Sequence, residues 1–86
     1  MNKDYANKVY DILVKCAGAS PNQRDSFVYN HVDDDCPCTE WRFCGNLGFG
    51  GNYYAERNKV SCYREDETPD KRTIIKTTNE KLSELR

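Results

Sequence analysis

Apolar residues recur along this chain with two different periods, and the change of period marks the architecture. Tyr5, Val9, Ile12, Leu13 and Cys16 step by four, three, one and three, which places one apolar stripe on a helix. Asn2 or Asp4 can cap its start, and Gly18 is a natural stop. Lying on that stripe, Cys16 reads as a small core residue rather than a reactive thiol. A second helix is predicted from Ser20 as N-cap, with Pro21 at the first helical position and Gln23 completing a Ser-x-x-Gln capping box. Phe27, Val28 and Val32 supply its buried side, with His31 alongside. Only Gly18 and Ala19 join the two helices, which forces a tight corner. The run Asp33-Asp34-Asp35-Cys36-Pro37-Cys38 ends the second helix near Val32, because three adjacent acids and a proline do not continue it.

The period then falls to two. Trp41 and Phe43 alternate with Glu40 and Arg42, the pattern of a half-buried strand over 39–44. Gly45, Gly48, Gly50 and Gly51 follow, and the reading is that they turn the backbone through positive φ and permit close approach of another backbone or a ligand. Asn52–Ala55 returns as a second strand, Glu56-Arg57-Asn58-Lys59 is a polar turn, and Val60–Tyr63 is a third strand. Arg64–Glu67 is a charged exit. Thr68, Pro69 and Asp70 open a last helix whose apolar positions are Ile74, Ile75, Thr78, Leu82 and Leu85, with a final turn expected to fray. The prediction is a small α+β fold of order α-α-β-β-β-α, a three-stranded antiparallel sheet packed against helices. The stretch Glu40–Tyr54 is its centre, since it carries the single Trp, four of the five glycines and five of the ten aromatic residues.

Composition narrows this picture without changing it. Eighty-six residues make one domain, 1–86, that buries roughly 60–65% of its unfolded surface. With 13 basic and 14 acidic residues the net charge is −1, which lacks the electrostatic footprint of a non-specific nucleic-acid binder and is too weakly acidic for a DNA mimic. No run approaches a membrane span, and Met-Asn-Lys-Asp-Tyr opens no signal peptide. A reducing, cytoplasmic setting is therefore expected, with the five cysteines as thiols, since an odd number leaves one unpaired in any disulfide framework.

Each motif with a chemical reading meets a spacing that weakens it. Gly45 and Gly50 have the gap of a phosphate-binding P-loop, but Gly51 and Asn52 stand where Lys and Ser/Thr must reach phosphate and metal. A dinucleotide fingerprint from Gly48-x-Gly50 needs glycine at 53, where Tyr53 stands. Leu47–Tyr54 brushes the RNA-recognition signature but lacks its leading basic residue and its inner stacking aromatic. Cys36, Cys38, Cys44 and Cys62, with His31, could supply four zinc ligands, yet a Cys-x-Cys pair with unmatched partners is far weaker than two Cys-x-x-Cys knuckles, and ordinary thiols are expected. One histidine makes no catalytic dyad by itself, no Ser-His-Asp order or His-Glu-x-x-His pattern exists, and Asp33-Asp34-Asp35 reads as a solvated turn. No cofactor, no metal and no enzymatic activity are expected.

Thr39-Glu40-Trp41-Arg42-Phe43, then Gly45-x-Leu47-Gly48-Phe49-Gly50-Gly51, then Cys62-Tyr63-x-Glu65-Asp66-Glu67-Thr68-Pro69 resemble a family of small phage and mobile-element proteins without an established activity. The Ala17-Gly18-Ala19-Ser20 and Phe27-Val28 regions resemble it too, so the likeness spans most of the chain. Cys36, Cys38 and Cys44 are not part of that pattern. The resemblance implies a phage or prophage accessory gene rather than a mechanism. The expected function is accordingly a small accessory protein, cytoplasmic in a bacterial host, that binds and inhibits or modulates a host protein or protein complex, for instance an anti-defence (anti-CRISPR-like) protein. Arg42, Phe49, Tyr53, Tyr54 and Arg57 are the candidate contacts, because aromatics and Arg dominate interface energetics, while Trp41 and Phe43 read as core. The alternative is a small-ligand, nucleotide or nucleic-acid binding module that uses the glycine-rich turn as a cradle of backbone N–H groups. A nucleic-acid partner is the less favoured of the two.

Overall fold

The computed structural model describes residues 2–32, 47–54 and 57–85. Among the described residues, three helices and an antiparallel two-stranded sheet form an α+β arrangement, with α1 at Lys3–Ala17, α2 at Arg24–Val32, β1 at Asn52–Tyr54, β2 at Lys59–Ser61 and α3 at Pro69–Ser83. The strand expected over 39–44, with Trp41 and Phe43, lies outside the described residues; within them the sheet consists of the hairpin β1–β2. Short 3-10 turns at Pro21–Gln23 and Arg64–Asp66 precede α2 and α3.

The helix ends follow local rules closely. The Asn2 side chain accepts from the Tyr5 N–H at 2.7 Å, and Gly18 closes α1 in the left-handed region at φ 71°. Thr68 caps α3 by accepting from the Lys71 N–H at 3.2 Å, with Pro69 as the first helical residue. The second helix departs from expectation. Its first turn is a 3-10 turn, so the Gln23 N–H bonds the Ser20 carbonyl at 3.1 Å and the Ser20 hydroxyl makes no cap bond. The predicted capping box is therefore not formed.

The core gathers Ala6, Val9, Tyr10, Leu13 and Ala17 of α1, Phe27 of α2, Leu47, Tyr53 and Val60 of the turn and hairpin, and Leu82 of α3. Compared with the predicted stripe, α1 is rotated: Ala6, Tyr10 and Ala17 are buried, whereas Tyr5 and Ile12 flank the core and Cys16 is only half-buried. Two alanines face inward because their short side chains let neighbouring elements come close. Cys16 is thus corrected from core to flank. Tyr10 and Phe27 stack tilted at 5.0 Å between ring centroids, and Phe27 and Tyr53 at 5.6 Å. Such contacts contribute about 0.5–1.5 kcal/mol each beyond the area they bury, and this aromatic row ties α1, α2 and β1 together.

On the far side, α1 and α2 are joined by Arg24. Its guanidinium lies 5.2 Å from the centre of the Tyr10 ring, donates to the carbonyl and side chain of Asn7 at 3.2 Å each, and pairs with Asp11. The Tyr10 hydroxyl donates to the Ser20 carbonyl. Burial raises the Tyr10 phenol above its ordinary value of 10.0, with Arg24 opposing. The stability this contributes is complete below pH 10 and is lost as pH rises through the raised value.

In α3 the face toward the core is Thr78 and Leu82, both fully buried, with Ile75, and Leu85 just beyond the helix, packed at its margin. The Thr78 hydroxyl has no hydrogen-bond partner among the described residues. A buried hydroxyl in that state costs about 1–3 kcal/mol of desolvation. Thr78→Val keeps the shape and removes the hydroxyl, so it should stabilise the fold by about 1 kcal/mol, read as a rise in the urea midpoint at unchanged slope. A lowered midpoint would mean that the hydroxyl is satisfied in solution.

Candidate functional site

The hairpin has an inner and an outer side, set by strand alternation. Register pairs Asn52 with Ser61, Tyr53 with Val60 and Tyr54 with Lys59. Tyr53 and Val60 are 0% and 1% exposed and face the helices. Asn52, Tyr54, Lys59 and Ser61 therefore occupy the outer side, with Tyr54 half-buried, Lys59 exposed, and Arg57 exposed in the connecting turn. Tyr63, 69% exposed, continues that alternation beyond β2.

This placement divides the five predicted contacts. Tyr54 and Arg57 stand on the outer side of the hairpin. Tyr53 is corrected from contact to core, because an odd step along β1 turns its ring inward against Phe27. Its hydroxyl donates to the Asn58 side-chain oxygen at 2.9 Å. Phe49 is partly buried against the core, so it is no bare tip of the hairpin. Its ring occupies the space over Gly51 where a side chain would otherwise sit. Arg42 lies outside the described residues.

The glycine turn is built by close approach more than by dihedral freedom. Among the described glycines only Gly18 and Gly50 have positive φ, at 71° and 92°. Gly48, expected to need positive φ, is required for a different reason: a Cβ there would strike the backbone carbonyl of Gly18, which accepts the Gly48 N–H at 3.1 Å. The Leu47 N–H bonds the Gly51 carbonyl at 3.0 Å, and the Gly50 N–H bonds the Leu47 carbonyl at 2.9 Å. The amides of Leu47, Gly48 and Gly50 are thus committed within the protein, which removes three donors from the proposed backbone cradle.

Two asparagines that sequence reasoning passed over hold the hairpin in place. Asn58, at φ 53° and 6% exposed, accepts from Tyr53 and donates to the Tyr5 hydroxyl at 3.1 Å and the Leu82 carbonyl at 3.3 Å, joining α1, the hairpin and α3. Asn79 of α3 accepts from the Val60 N–H at 2.8 Å and donates to the Val60 carbonyl at 3.2 Å. The signal for Asn58 was its place in a four-residue polar turn, where Asn tolerates the left-handed region. Nothing in a polar helix face distinguished Asn79. Tyr63 was legible in principle, from the alternation of 59, 61 and 63.

Of the zinc candidates, Cys36, Cys38, Cys44 and the side chain of His31 lie outside the described residues, and Cys62 is a half-buried free thiol. Among the described residues no three His, Cys, Asp or Glu side chains converge on a point that could hold a metal ion. No helix in the described residues is long and apolar enough to cross a membrane. Comparison of the chain with protein-family models, with curated proteins and with solved structures finds no match.

Proposed function

We propose that this protein is a small binding module that acts by docking on another macromolecule through the outer side of its hairpin. The observation that carries this reading is the arrangement of half-buried Tyr54 across from exposed Lys59, with exposed Arg57 at the turn between them. An aromatic ring flanked by two cations on a strand surface offers apolar area and charge-assisted donors together, the combination that dominates interface hot spots. The hairpin is held from behind by Tyr53, Val60 and Asn58, so its outer side is presented on a rigid support. The resemblance to small phage and mobile-element proteins supports a host protein or protein complex as the target, an inhibitory or modulating effect such as anti-defence activity, and a cytoplasmic setting in a bacterial host. The ligand-cradle alternative is disfavoured by the three turn amides already bonded within the chain.

The test separates folding from binding. Arg57→Ala and Lys59→Ala should change stability by no more than about 0.5 kcal/mol, while half-buried Tyr54→Ala should cost about 1 kcal/mol. Any of the three that is a hot spot should weaken capture of the partner from host lysate at least about tenfold, equivalent to about 1.4 kcal/mol. Capture that survives all three substitutions with the fold intact would refute the outer hairpin side as the binding surface. Phe49→Ala does not separate folding from binding, since Phe49 packs against the core.

A further inference from the structure

The geometry points to α3 as a displaceable cover on the outward edge of β2, one that leaves the edge as a unit without unfolding the rest of the domain. A strand residue projects its N–H and C=O to the same side. At Val60 both groups turn away from β1 and meet the Asn79 side-chain amide, which offers an acceptor at 2.8 Å and a donor at 3.2 Å. The amide therefore occupies the place of a neighbouring strand, and α3 satisfies an edge that would otherwise present unpaired backbone.

Three features make this cover weaker than the α1 face beneath it. Only Thr78 and Leu82 of α3 are fully buried, whereas α1 buries five residues. One of those two is a threonine whose hydroxyl has no partner among the described residues. The other attachments are the marginal packing of half-buried Ile75 and Leu85 and side-chain hydrogen bonds from Asn79 to Val60 and from Asn58 to the Leu82 carbonyl, which water replaces when the helix lifts. Elements with few buried apolar contacts and many exchangeable polar ones open sub-globally, below the free energy of complete unfolding. An opened α3 bares the Val60 N–H and C=O together, so the device alternates between a covered and an exposed strand edge.

Native-state hydrogen exchange on the full chain in low denaturant tests this directly. The amides of Val60, Asn79 and Leu82 should exchange together, at least about tenfold faster than those of Val9 and Leu13, and with a weaker dependence on denaturant because less surface is exposed. Asn79→Ala should widen that gap by about a further tenfold, while Asn79→Asp, which keeps the acceptor for the Val60 N–H, should widen it less. The proposal is overturned if the α3 and α1 amides share one exchange free energy in the wild-type chain. It is equally overturned if Asn79→Ala leaves the gap unchanged. The wild-type comparison holds whether or not either variant folds.

Discussion

Asn58→Ala should be among the most damaging single changes in the hairpin, lowering stability by about 3–5 kcal/mol. Two costs add. The backbone at 58 sits at φ 53°, where Asn is tolerated and Ala is strained by about 1–2 kcal/mol. The side chain also makes three hydrogen bonds, with Tyr53, Tyr5 and the Leu82 carbonyl, each contributing about 0.5–1.5 kcal/mol net. For a domain of this size, 1 kcal/mol corresponds to about 4–8 °C, so Tm should fall by at least about 12 °C. Asn58→Gly separates the two costs, because it relieves the backbone and loses only the side-chain bonds. It should be milder than Asn58→Ala by about 1 kcal/mol. Thermal and urea unfolding of both variants check this, and a fall of less than about 4 °C for Asn58→Ala would remove Asn58 as the junction of the three elements.

Gly48→Ala should cost about 2–4 kcal/mol, although its backbone is not in the left-handed region. The added Cβ would collide with the Gly18 carbonyl, and neither group is the end of a flexible side chain that can swing away. Either the turn lifts off the α1 terminus, losing the Gly48–Gly18 hydrogen bond and shifting buried Leu47, or the α1 cap distorts. Overpacking of this kind costs about 1–3 kcal/mol and the lost bond about 0.5–1.5 kcal/mol. Gly50→Ala is the informative contrast. Its φ of 92° disfavours any side chain, but among the described residues its Cβ meets only the end of the Lys71 side chain, at 3.1 Å from the ammonium, which can move aside. It should cost about 1–2 kcal/mol, from backbone strain alone. If Gly50→Ala proves the more damaging of the two in urea unfolding, dihedral freedom rather than close approach governs the turn.

Local features were readable from the chain because their causes are local. Asn2, Gly18 and the Thr68-Pro69 pair mark helix ends through bonds between residues at most five positions apart, so their residue types alone announce them. Two strands with a polar turn between them follow from alternation and turn chemistry in the same way, although Lys59, read as the last turn residue, starts β2, and β2 ends at Ser61 rather than Tyr63. What the α1 stripe could not reveal was its centre. Tyr5, Ile12 and Cys16 are more conspicuous to a hydrophobic count than Ala6 and Ala17, yet the alanines face the core, because how close α2, α3 and the glycine turn approach selects small residues there. The same limit applies at the hairpin. Reading both Tyr53 and Tyr54 as contacts overlooked that adjacent strand residues face opposite ways, and the packing against Phe27 decides that Tyr53 is the one turned inward. The need for Gly48, the bonds of Asn58 to the Tyr5 hydroxyl and the Leu82 carbonyl, and the Asn79 amide on the edge of β2 all join residues far apart in sequence, at separations of 53 and 24 for Asn58 and 19 for Asn79 and Val60. No local propensity encodes such partners; they exist only once the helices have closed over the hairpin.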